Sequence, residues 1–359
     1  MELKTKPDYA ACMDRVEAWW DGRPTDRPPI TLSVRSGRTP REVPSHHATH
    51  AERKMDLAYM LDATAADIEA GAFVAEHFPR FIPALGPEVC ATCYGCEMEI
   101  AQNTSWTRPC VGNIRDVLKL APDLTGRYWQ WIRRATDESI RRGQGRWITA
   151  LTDMHTNGDI VAAVRDPQAF AIDYMDDYEG VKLACEHVRP HAKVFYDDLY
   201  SRIAAAGLPC CTWGVAVSRG TMYYVSCDFI CMISPKMFAE TILPSIQWEC
   251  RQLDRSIFHL DGPGALKHLD ALLAIPELNA VQWTYGAGHG PAARWIDVYR
   301  RIQAAGKGAE VHLADLNDLR AIMDALPPKG LWLCLGGSYS PAEAEAILAD
   351  LRRWSAGKK

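Results

Sequence analysis

The chain has 359 residues, of which 48% are hydrophobic and 24% are charged. These fractions are ordinary for a globular protein and exclude disordered, collagen-like and coiled-coil architectures, while the length suits two average domains or one α/β barrel. The 40 Lys and Arg residues against 45 Asp and Glu residues give a formal net charge of −5. This balance removes the electrostatic basis for binding nucleic acid or an anionic membrane, so we expect a small-molecule ligand.

The sequence carries no signal for export or membrane insertion. No stretch approaches 18 uninterrupted apolar residues, and charges run through Met1–Trp20 without an apolar core followed by a cleavage site. We therefore expect a cytoplasmic protein. The 12 cysteines are scattered along the chain, which predicts reduced thiols, most of them small core residues, rather than a disulfide framework.

The first predicted elements are an N-terminal helical arm over residues 1–26 and a strand at Pro29–Val34. The segment around Leu61–Glu69 fits one more strand or a helix. Residues 70–146 are irregular and rich in Trp, Cys and Pro. We expect them to form a long elaboration over the mouth of the fold, together with helices.

From residue 147 onward, short apolar runs alternate with helical patterns, which is typical of repeated βα units. The predicted strands are almost continuously apolar or β-branched, as strands covered on both faces must be: Trp147–Thr152, Leu208–Val215, Ser256–Leu260, Ala280–Tyr285, Ala309–Leu313 and Leu331–Leu335. The predicted helices are Asp166–Ala206, Pro235–Arg251, Gly264–Leu273, Pro291–Ala305, Leu316–Ala325 and Pro341–Trp354.

Together with the two upstream candidates, these strands predict a closed (β/α)8 TIM barrel. Residues 27–359 would form one barrel domain that contains the insertion at about 70–146. The alternative is an open, doubly wound sheet. Its dinucleotide-binding version is disfavoured, because no G-x-G-x-x-G segment follows any predicted strand.

Polar residues follow the first strand of this series. The active site of a (β/α)8 barrel lies at the C-terminal ends of its strands, so position alone selects Asp153 and His155, with Asp159 nearby. A helix cap and a surface imidazole are the alternative interpretation. We expect Asp153 and His155 to be catalytic.

His259 and Asp261 flank Leu260 near the end of another predicted strand. The two-residue period of a strand points both side chains to the same side. The pair predicts a general base with its orienting group, or two ligands of a metal ion. A hydrogen-bonded core histidine is the alternative.

Further candidates ring the same end of the predicted barrel. Their aromatic members suit an apolar wall for an aromatic, sugar or cationic ligand: Trp213, Tyr223, Tyr224, Trp283 and Tyr285. Packing in the core is the alternative for these side chains. Asp228 and His289 are polar candidates in neighbouring loops, and Cys227 and Cys231 flank Asp228 as packing thiols or thiolate ligands.

Cys90, Cys93 and Cys96 are closely spaced, whereas Cys110 comes 14 residues after Cys96. Iron–sulfur and zinc sites need four convergent ligands, and this spacing matches neither a common ferredoxin run nor a pair of C-x-x-C motifs. We predict small thiols packed against the barrel mouth and no metal cluster.

Several of these segments resemble the uroporphyrinogen decarboxylase superfamily: Arg27-Pro-Pro-Ile, Arg35-Ser-Gly37-Arg38, Thr152-Asp153 and His259-Leu-Asp261-Gly-Pro-Gly. The run from Phe258 through His312 and the segment Asp228-Phe-Ile-Cys231-Met-Ile-Ser are most similar to a bacterial branch described as uroporphyrinogen decarboxylase-like or trimethylamine corrinoid protein-like. The resemblance covers most of the chain and implies a barrel enzyme.

The resemblance implies one of two chemistries. In the decarboxylases, arginines of an early R-x-x-G-R segment hold propionates and an aspartate contacts the pyrroles, without a cofactor. Here Arg35 and Arg38 stand in a segment one residue shorter, and no equivalent of that aspartate is found. We keep both arginines as expected substrate-binding residues.

In the methyltransferase branch, a His-x-Cys segment and a distant Cys bind zinc. Here the segment reads His259-Leu-Asp261, and Gly337 aligns with the second cysteine, three residues after Cys334. The resemblance therefore implies a harder metal site formed by His259 and Asp261, with zinc as the metal. We expect Cys334 to complete it, and Cys227 or a group from the Asp153–Asp159 loop is the alternative.

We accordingly expect a corrinoid-linked methyltransferase that demethylates a small substrate, with the corrinoid carried by a partner protein. A homodimer is one assembly that this interpretation allows. The alternatives are a metal-independent decarboxylase and a non-catalytic barrel that binds a ligand or a corrinoid protein.

Overall fold

The computed structural model describes residues 1–102 and 104–357, which form a mixed α/β fold. The strands are β1 (Ile30–Val34), β2 (Arg80–Phe81), β3 (Met98–Ile100), β4 (Ser105–Thr107), β5 (Ile148–Thr149), β6 (Cys210–Cys211), β7 (Val217–Ser218), β8 (Met222–Ser226), β9 (Arg255–Asp261), β10 (Ala280–Thr284), β11 (Gly308–Leu313) and β12 (Leu331–Tyr339).

The helices are α1 (Tyr9–Trp20), α2 (His50–Met55), α3 (Leu57–Ala70), α4 (Arg127–Gly143), α5 (Asn157–Arg165), α6 (Pro167–Asp176), α7 (Tyr178–Val188), α8 (His191–Ala205), α9 (Pro235–Thr241), α10 (Leu243–Arg251), α11 (Leu269–Leu273), α12 (Ile296–Ala304), α13 (Leu316–Ala325) and α14 (Pro341–Gly357). Short 3₁₀ segments lie at Pro87–Tyr94, Ile114–Lys119, Asp228–Met232, Pro263–His268 and Ala292–Trp295. Across the described ranges, none of these helices is both long enough and apolar enough to traverse a membrane.

The main sheet is a curled sheet of six parallel strands in the order β1-β12-β11-β10-β9-β8. β2 pairs with β5 in parallel, whereas β3 pairs with β4 and β6 with β7 in antiparallel hairpins. Single backbone bonds continue the curl: the Glu76 amide donates to the Ile30 carbonyl at 3.0 Å, and the Leu151 amide donates to the Cys211 carbonyl at 2.8 Å.

The predicted closed, eight-stranded barrel is therefore wrong in its closure and strand number, although the parallel, barrel-like curl is present. Of the predicted strands Trp147–Thr152 and Leu208–Val215, only β5 and β6, of two residues each, are paired as strands. Prolines supply part of the reason, because Pro79 precedes β2 and Pro209 precedes β6, and a residue without an amide hydrogen cannot donate to a strand ladder.

Several helices also differ from the predicted ones. Leu61–Glu69 lies within α3, so the helical alternative is correct. The predicted helix Asp166–Ala206 is three helices, α6, α7 and α8, because Asp177 leaves the helical conformation and caps the Gly180 amide, and Pro190 precedes α8. The strand β8 was missing from the predicted series, although two of its residues, Tyr223 and Tyr224, were expected near the mouth.

Candidate active site

The ends of β8 and β9 bring three of the predicted site residues together. Ser226, the last residue of β8, pairs with His259 of β9. Two residues further along, Asp228 follows the end of β8 and Asp261 ends β9, so the two aspartates lie at neighbouring strand ends. A ring nitrogen of His259 and carboxylate oxygens of Asp228 and Asp261 lie within 4.8 Å of one another. The two carboxylates are exposed and His259 is half-buried, so a ligand has direct access to this cluster, called the mouth cluster below.

A chain of hydrogen bonds behind the mouth cluster orients the imidazole of His259. The buried Glu310 carboxylate accepts a hydrogen bond from Gln282 Nε2 at 2.6 Å, and the other end of that amide, Oε1, contacts His259 Nδ1. Burial alone would raise the pKa of Glu310, but its hydrogen bonds and the charge of His312 hold it below the ordinary value. An ionised carboxylate only accepts, so the Gln282 amide points its N–H₂ group at Glu310 and its oxygen at His259 Nδ1, which donates to it.

His155 lies among three carboxyl groups. Its Nδ1 is 3.3 Å from Asp159 Oδ2 and 3.9 Å from Asp228 Oδ2, and its Nε2 is 3.8 Å from Asp153 Oδ1. Burial lowers the pKa of His155, but the hydrogen bond to Asp159 and the three negative charges outweigh it and raise the pKa to about 10. His155 is therefore an imidazolium at neutral pH, which argues against its acting as a general base.

The carboxyl groups around His155 differ in their surroundings. Asp159 is buried and accepts the backbone amides of Asp228 and Phe229 at 3.0 and 3.1 Å. Burial raises its pKa, but the contacts with His155 and these amides bring it below the ordinary value. The pKa values of Asp153 and Asp228 are raised, by burial first and then by neighbouring carboxylates.

Three buried polar atoms near this site have no hydrogen-bond partner among the described residues: Thr152 Oγ1, Asp153 Oδ1 and Trp213 Nε1. Leu151 and Cys211 are bonded through their backbones, so the residues two positions further along, Asp153 and Trp213, lie at neighbouring strand ends. The Trp213 ring stands edge-on to the His259 ring, with 5.0 Å between centroids. Buried polar atoms are normally satisfied, so these orphans mark a place where a ligand or water completes the site.

Cys334 lies in a different cluster from the one predicted. Its thiol, the Glu310 carboxylate and the His312 imidazole have ligand atoms within 4.8 Å of one another, and this set includes neither His259 nor Asp261. Asp228 takes its place beside His259 and Asp261.

The other predicted aromatic and loop residues are divided between packing and the rim. Tyr223 is buried, donating to the Thr152 carbonyl and accepting the Met154 amide, so it fixes the backbone around Asp153. Trp283 is fully buried and packs against Trp295, on the face of β10 opposite Gln282, so it does not line the mouth cluster.

Two further candidates lie on the rim. Tyr285 donates to the His312 carbonyl at 3.2 Å. His289 is exposed in the loop after β10, where its carbonyl accepts the indole N–H of Trp295. Neither contact is with the mouth cluster.

Arg35 and Arg38 are exposed, and protein groups already engage both of them. Arg35 bonds the Ser338 carbonyl and lies 3.1 Å from Glu343 Oε2. Arg38 bonds the Gly71 carbonyl. These contacts tie β1 to neighbouring segments.

The closely spaced cysteines occupy separate environments. The thiols of Cys96 and Cys110 interact with each other, and this interaction lowers the pKa of the exposed Cys110. Cys90 and Cys93 are buried in the 3₁₀ segment Pro87–Tyr94, which ends before Cys96. The absence of a metal cluster there stays a prediction.

The thiols around Asp228 also have distinct surroundings. Cys227 is buried and its thiol lies 3.4 Å from Asp159 Oδ1, whereas Cys231 is exposed. Cys227 therefore packs beneath the site, as expected for a packing thiol, the first of its two predicted roles.

Sequence reasoning missed Glu310 and His312 as site residues and assigned no role to Gln282. Glu310-Val-His312 shows the same two-residue spacing on a strand as His259-Leu-Asp261, and this spacing was the available signal. The role of Gln282 was not readable from the sequence, because it depends on the registers β9–β10 and β10–β11, which place Gln282 beside His259 and Glu310.

No protein-family profile and no curated protein sequence matches the chain. Its fold is similar to that of a methyltransferase from Methanosarcina mazei, with a TM-score of 0.61 and 12% identity over 95% of this chain and 98% of that one. A B12-independent methionine synthase from Shewanella sp. W3-18-1, in complex with selenomethionine, overlaps with a TM-score of 0.40 and 11% identity over 92% and 96% of the two chains. At these identities the likeness concerns architecture, so the chain shares the fold of the Methanosarcina methyltransferase, and its chemistry has to be argued from its own side chains.

Proposed function

We propose that this chain is a methyltransferase that removes a methyl group from a small substrate at the mouth cluster and delivers it to the corrinoid of a partner protein. The observation that carries the proposal is the position of His259, which presents a ring nitrogen beside two exposed carboxylates while Gln282 holds Nδ1. The shared fold with a methyltransferase is compatible with this proposal but does not establish it.

The charge of the site favours a cation over an anionic substrate. The principal charged neighbours acting on Asp153 and Asp228 are carboxylates and histidines, without a Lys or Arg. A carboxylate-lined cleft concentrates cations and repels anions. The half-buried Trp213 ring beside His259 adds an aromatic face of the kind that binds methylated ammonium groups.

The residues present also fit a divalent metal ion. Asp228, His259 and Asp261 offer one nitrogen and two oxygen donors, and the orphaned Asp153 Oδ1 nearby offers another. Zinc accepts imidazole and carboxylate ligands, although the thiolates of the related methyltransferases are absent from this set. When bound there, the ion would supply Lewis-acid polarisation of the substrate heteroatom.

The side chains of this chain bind and orient the substrate. The bond between the methyl carbon and its heteroatom breaks with its electron pair on the heteroatom, which then takes up a proton. The electron pair for the new bond to the methyl group would come from a nucleophilic acceptor, which we propose is the reduced corrinoid of the partner. Trp213 and the carboxylates hold the methylated group next to His259, whose second ring nitrogen, Nε2, is not engaged by Gln282 and is available to coordinate or to exchange a proton.

The alternative of a tetrapyrrole decarboxylase fits these residues less well. Such a substrate carries several carboxylates and needs a cationic clamp, whereas Arg35 and Arg38 are already engaged with Glu343 and with backbone carbonyls. The carboxylates of the mouth would repel it further.

The test is methyl transfer from a panel of methylated amines, thioethers and methoxy compounds to free cob(I)alamin, followed by its absorbance, together with zinc titration by calorimetry. We expect His259→Ala and Asp261→Asn to abolish transfer and to weaken zinc binding by at least about tenfold, since loss of even an outer partner of a metal ligand costs 10–100-fold. The exposed Asp261→Asn should change the unfolding free energy by less than about 0.5 kcal/mol.

Asp270→Asn is the matched control, because Asp270 is exposed on α11 and pairs with Arg301 away from the mouth cluster. It should leave both measurements unchanged. Consumption of uroporphyrinogen with no methyl transfer would contradict the proposal in favour of the decarboxylase. A large loss of stability in both variants would instead support a structural role for His259 and Asp261.

A further inference from the structure

A second group of potential metal ligands lies on β11 and β12, behind the mouth cluster. Glu310 and His312 are two residues apart on β11, so their side chains point to the same face, and His312 is the ladder partner of Cys334 on β12. Carboxylate, imidazole and thiol atoms of these residues lie within 4.8 Å of one another. We call Glu310, His312 and Cys334 the inner cluster.

The distances within the inner cluster approach those of a tetrahedral ion. Glu310 Oε1 lies 3.1 Å from His312 Nε2 and 3.8 Å from Cys334 Sγ. Tetrahedral zinc, with bonds of about 2.0 Å to oxygen and nitrogen and about 2.3 Å to sulfur, separates an oxygen from a nitrogen by about 3.3 Å and from a sulfur by about 3.5 Å. Both distances from Glu310 therefore lie within a few tenths of an ångström of the tetrahedral values.

Outer contacts hold the carboxylate of the inner cluster in place. Tyr224 Oη donates to Glu310 Oε2 and Gln282 Nε2 donates to Glu310 Oε1. Metal-binding carboxylates are typically oriented by hydrogen bonds of this kind. The Tyr285 hydroxyl also donates to the backbone carbonyl of His312, which fixes the strand at that point.

The inner cluster also borders an open space. A cavity of about 290 Å³ is lined by His312, Cys334, Tyr285 and His77, among others. His77 Nδ1 is buried and has no hydrogen-bond partner in the part of the chain that the structure describes. A site with three protein ligands and a fourth position facing a cavity is the arrangement of exchangeable zinc sites, whereas purely structural sites are closed by four protein ligands.

We propose that the inner cluster binds a zinc ion through the carboxylate of Glu310, Nε2 of His312 and the thiolate of Cys334, with the fourth position open to the cavity for a small ligand. This site is separate from the mouth cluster. The inner cluster contains a sulfur donor, whereas the mouth cluster offers only nitrogen and oxygen. Gln282 connects the two, since it bonds His259 on one side and Glu310 on the other.

The sulfur donor gives a spectroscopic test that does not depend on enzyme activity. The full-length chain, stripped of metal under reducing conditions, is titrated with Co²⁺, which replaces zinc and shows a near-ultraviolet charge-transfer band only when a thiolate coordinates it. We expect this band in the wild-type chain with about one cobalt ion bound through sulfur. Cys334→Ser should remove the band and one equivalent of tightly bound zinc.

His312→Ala provides a second variant, which should leave folding intact because about 40% of the His312 side chain is exposed. It should also weaken the band strongly. Cys231→Ser is the matched control, since its exposed thiol lies near the mouth cluster, and it should keep the band. Asp261→Asn should also keep it, so a failure of the proposed function leaves this result unaffected.

The proposal is overturned if the wild-type chain shows no thiolate band at saturating cobalt. It is equally overturned if the band persists in Cys334→Ser or disappears in Cys231→Ser. In those cases Glu310 serves only as a buried hydrogen-bond acceptor for Tyr224, Gln282 and His312.

Discussion

Gln282 illustrates how one uncharged side chain determines what a neighbouring residue can do. Its amide nitrogen faces the ionised Glu310, and its carbonyl oxygen therefore faces His259. In the reversed orientation, the amide N–H₂ group would face His259 Nδ1, which would then have to accept, and the amide oxygen would face a carboxylate that cannot donate. The arrangement makes His259 Nδ1 a hydrogen-bond donor without any contact between His259 and the Glu310 carboxylate.

We predict that Gln282→Leu weakens zinc binding at the mouth cluster by about 10–100-fold, because an outer partner that orients a ligand histidine is lost. It should also lower the unfolding free energy by about 1–3 kcal/mol, since Glu310 loses a buried donor. Calorimetric titration and urea unfolding measure the two effects. Gln252→Leu, at an exposed position of the same residue type, is the control, and unchanged zinc binding in Gln282→Leu would show that His259 needs no orienting partner.

At the scale of elements, apolar periodicity predicted the second half of the chain well. α13 has the predicted bounds Leu316–Ala325, and β9, β10, β11 and β12 each contain or nearly match their predicted strands. These strands are buried on both faces, so their composition alone identifies them. β5 and β6 were predicted too long, because composition does not reveal where backbone pairing stops.

The candidate site was predictable only in part, for a related reason. His259 and Asp261 were found because they share one strand and its two-residue period. Asp228 joins them through the register of β8 against β9, and Cys334 joins His312 through the register of β12 against β11. Register depends on pairing between distant segments, so the sequence pattern of one strand cannot supply it.

The helix α10 carries a buried acid whose protonation should be visible in the stability of the protein. Burial raises the pKa of Glu249 to about 8, more than the hydrogen bonds from Asn157 and Thr156 lower it. At pH values between the ordinary pKa of 4.5 and the raised pKa of about 8, Glu249 holds a proton in the folded state that it has released in the unfolded state. The unfolding free energy contributed by this group should therefore fall as pH rises through that window.

We predict that Glu249→Gln, a neutral side chain of the same shape, flattens this decline, which amounts to at most about 1.4 kcal/mol per pH unit. Urea unfolding at several values between about pH 5 and 8 measures it. Glu186→Gln, at an exposed position of α7, should keep the wild-type slope. An identical slope in Glu249→Gln would mean that Glu249 is ionised in the folded protein at neutral pH.

At the scale of the whole molecule, buried charge joins the N-terminal helix to the sheet. The fully buried Glu76 carboxylate accepts Arg15 of α1 at 2.8 Å, Arg27 at 2.7 Å and the backbone amide of Ile30 on β1 at 2.9 Å. Trp20 of α1 adds a hydrogen bond from its indole to the Val217 carbonyl at 2.8 Å. These contacts link α1 to β1 and β7, which lie far apart along the chain.

We therefore predict that the segment 1–26 and the rest of the chain unfold together. Glu76→Gln removes the charge that compensates the buried Arg27, and breaking a buried ion pair in this way typically costs about 3–5 kcal/mol. Urea unfolding followed by both tryptophan fluorescence and far-ultraviolet circular dichroism should show one coincident transition at a lower midpoint. Glu179→Gln, at an exposed site on α7, should leave the unfolding free energy within about 0.5 kcal/mol of wild type. Two separate transitions in Glu76→Gln would instead show that the N-terminal segment is an independent arm, joined to the barrel-like sheet by little more than this carboxylate.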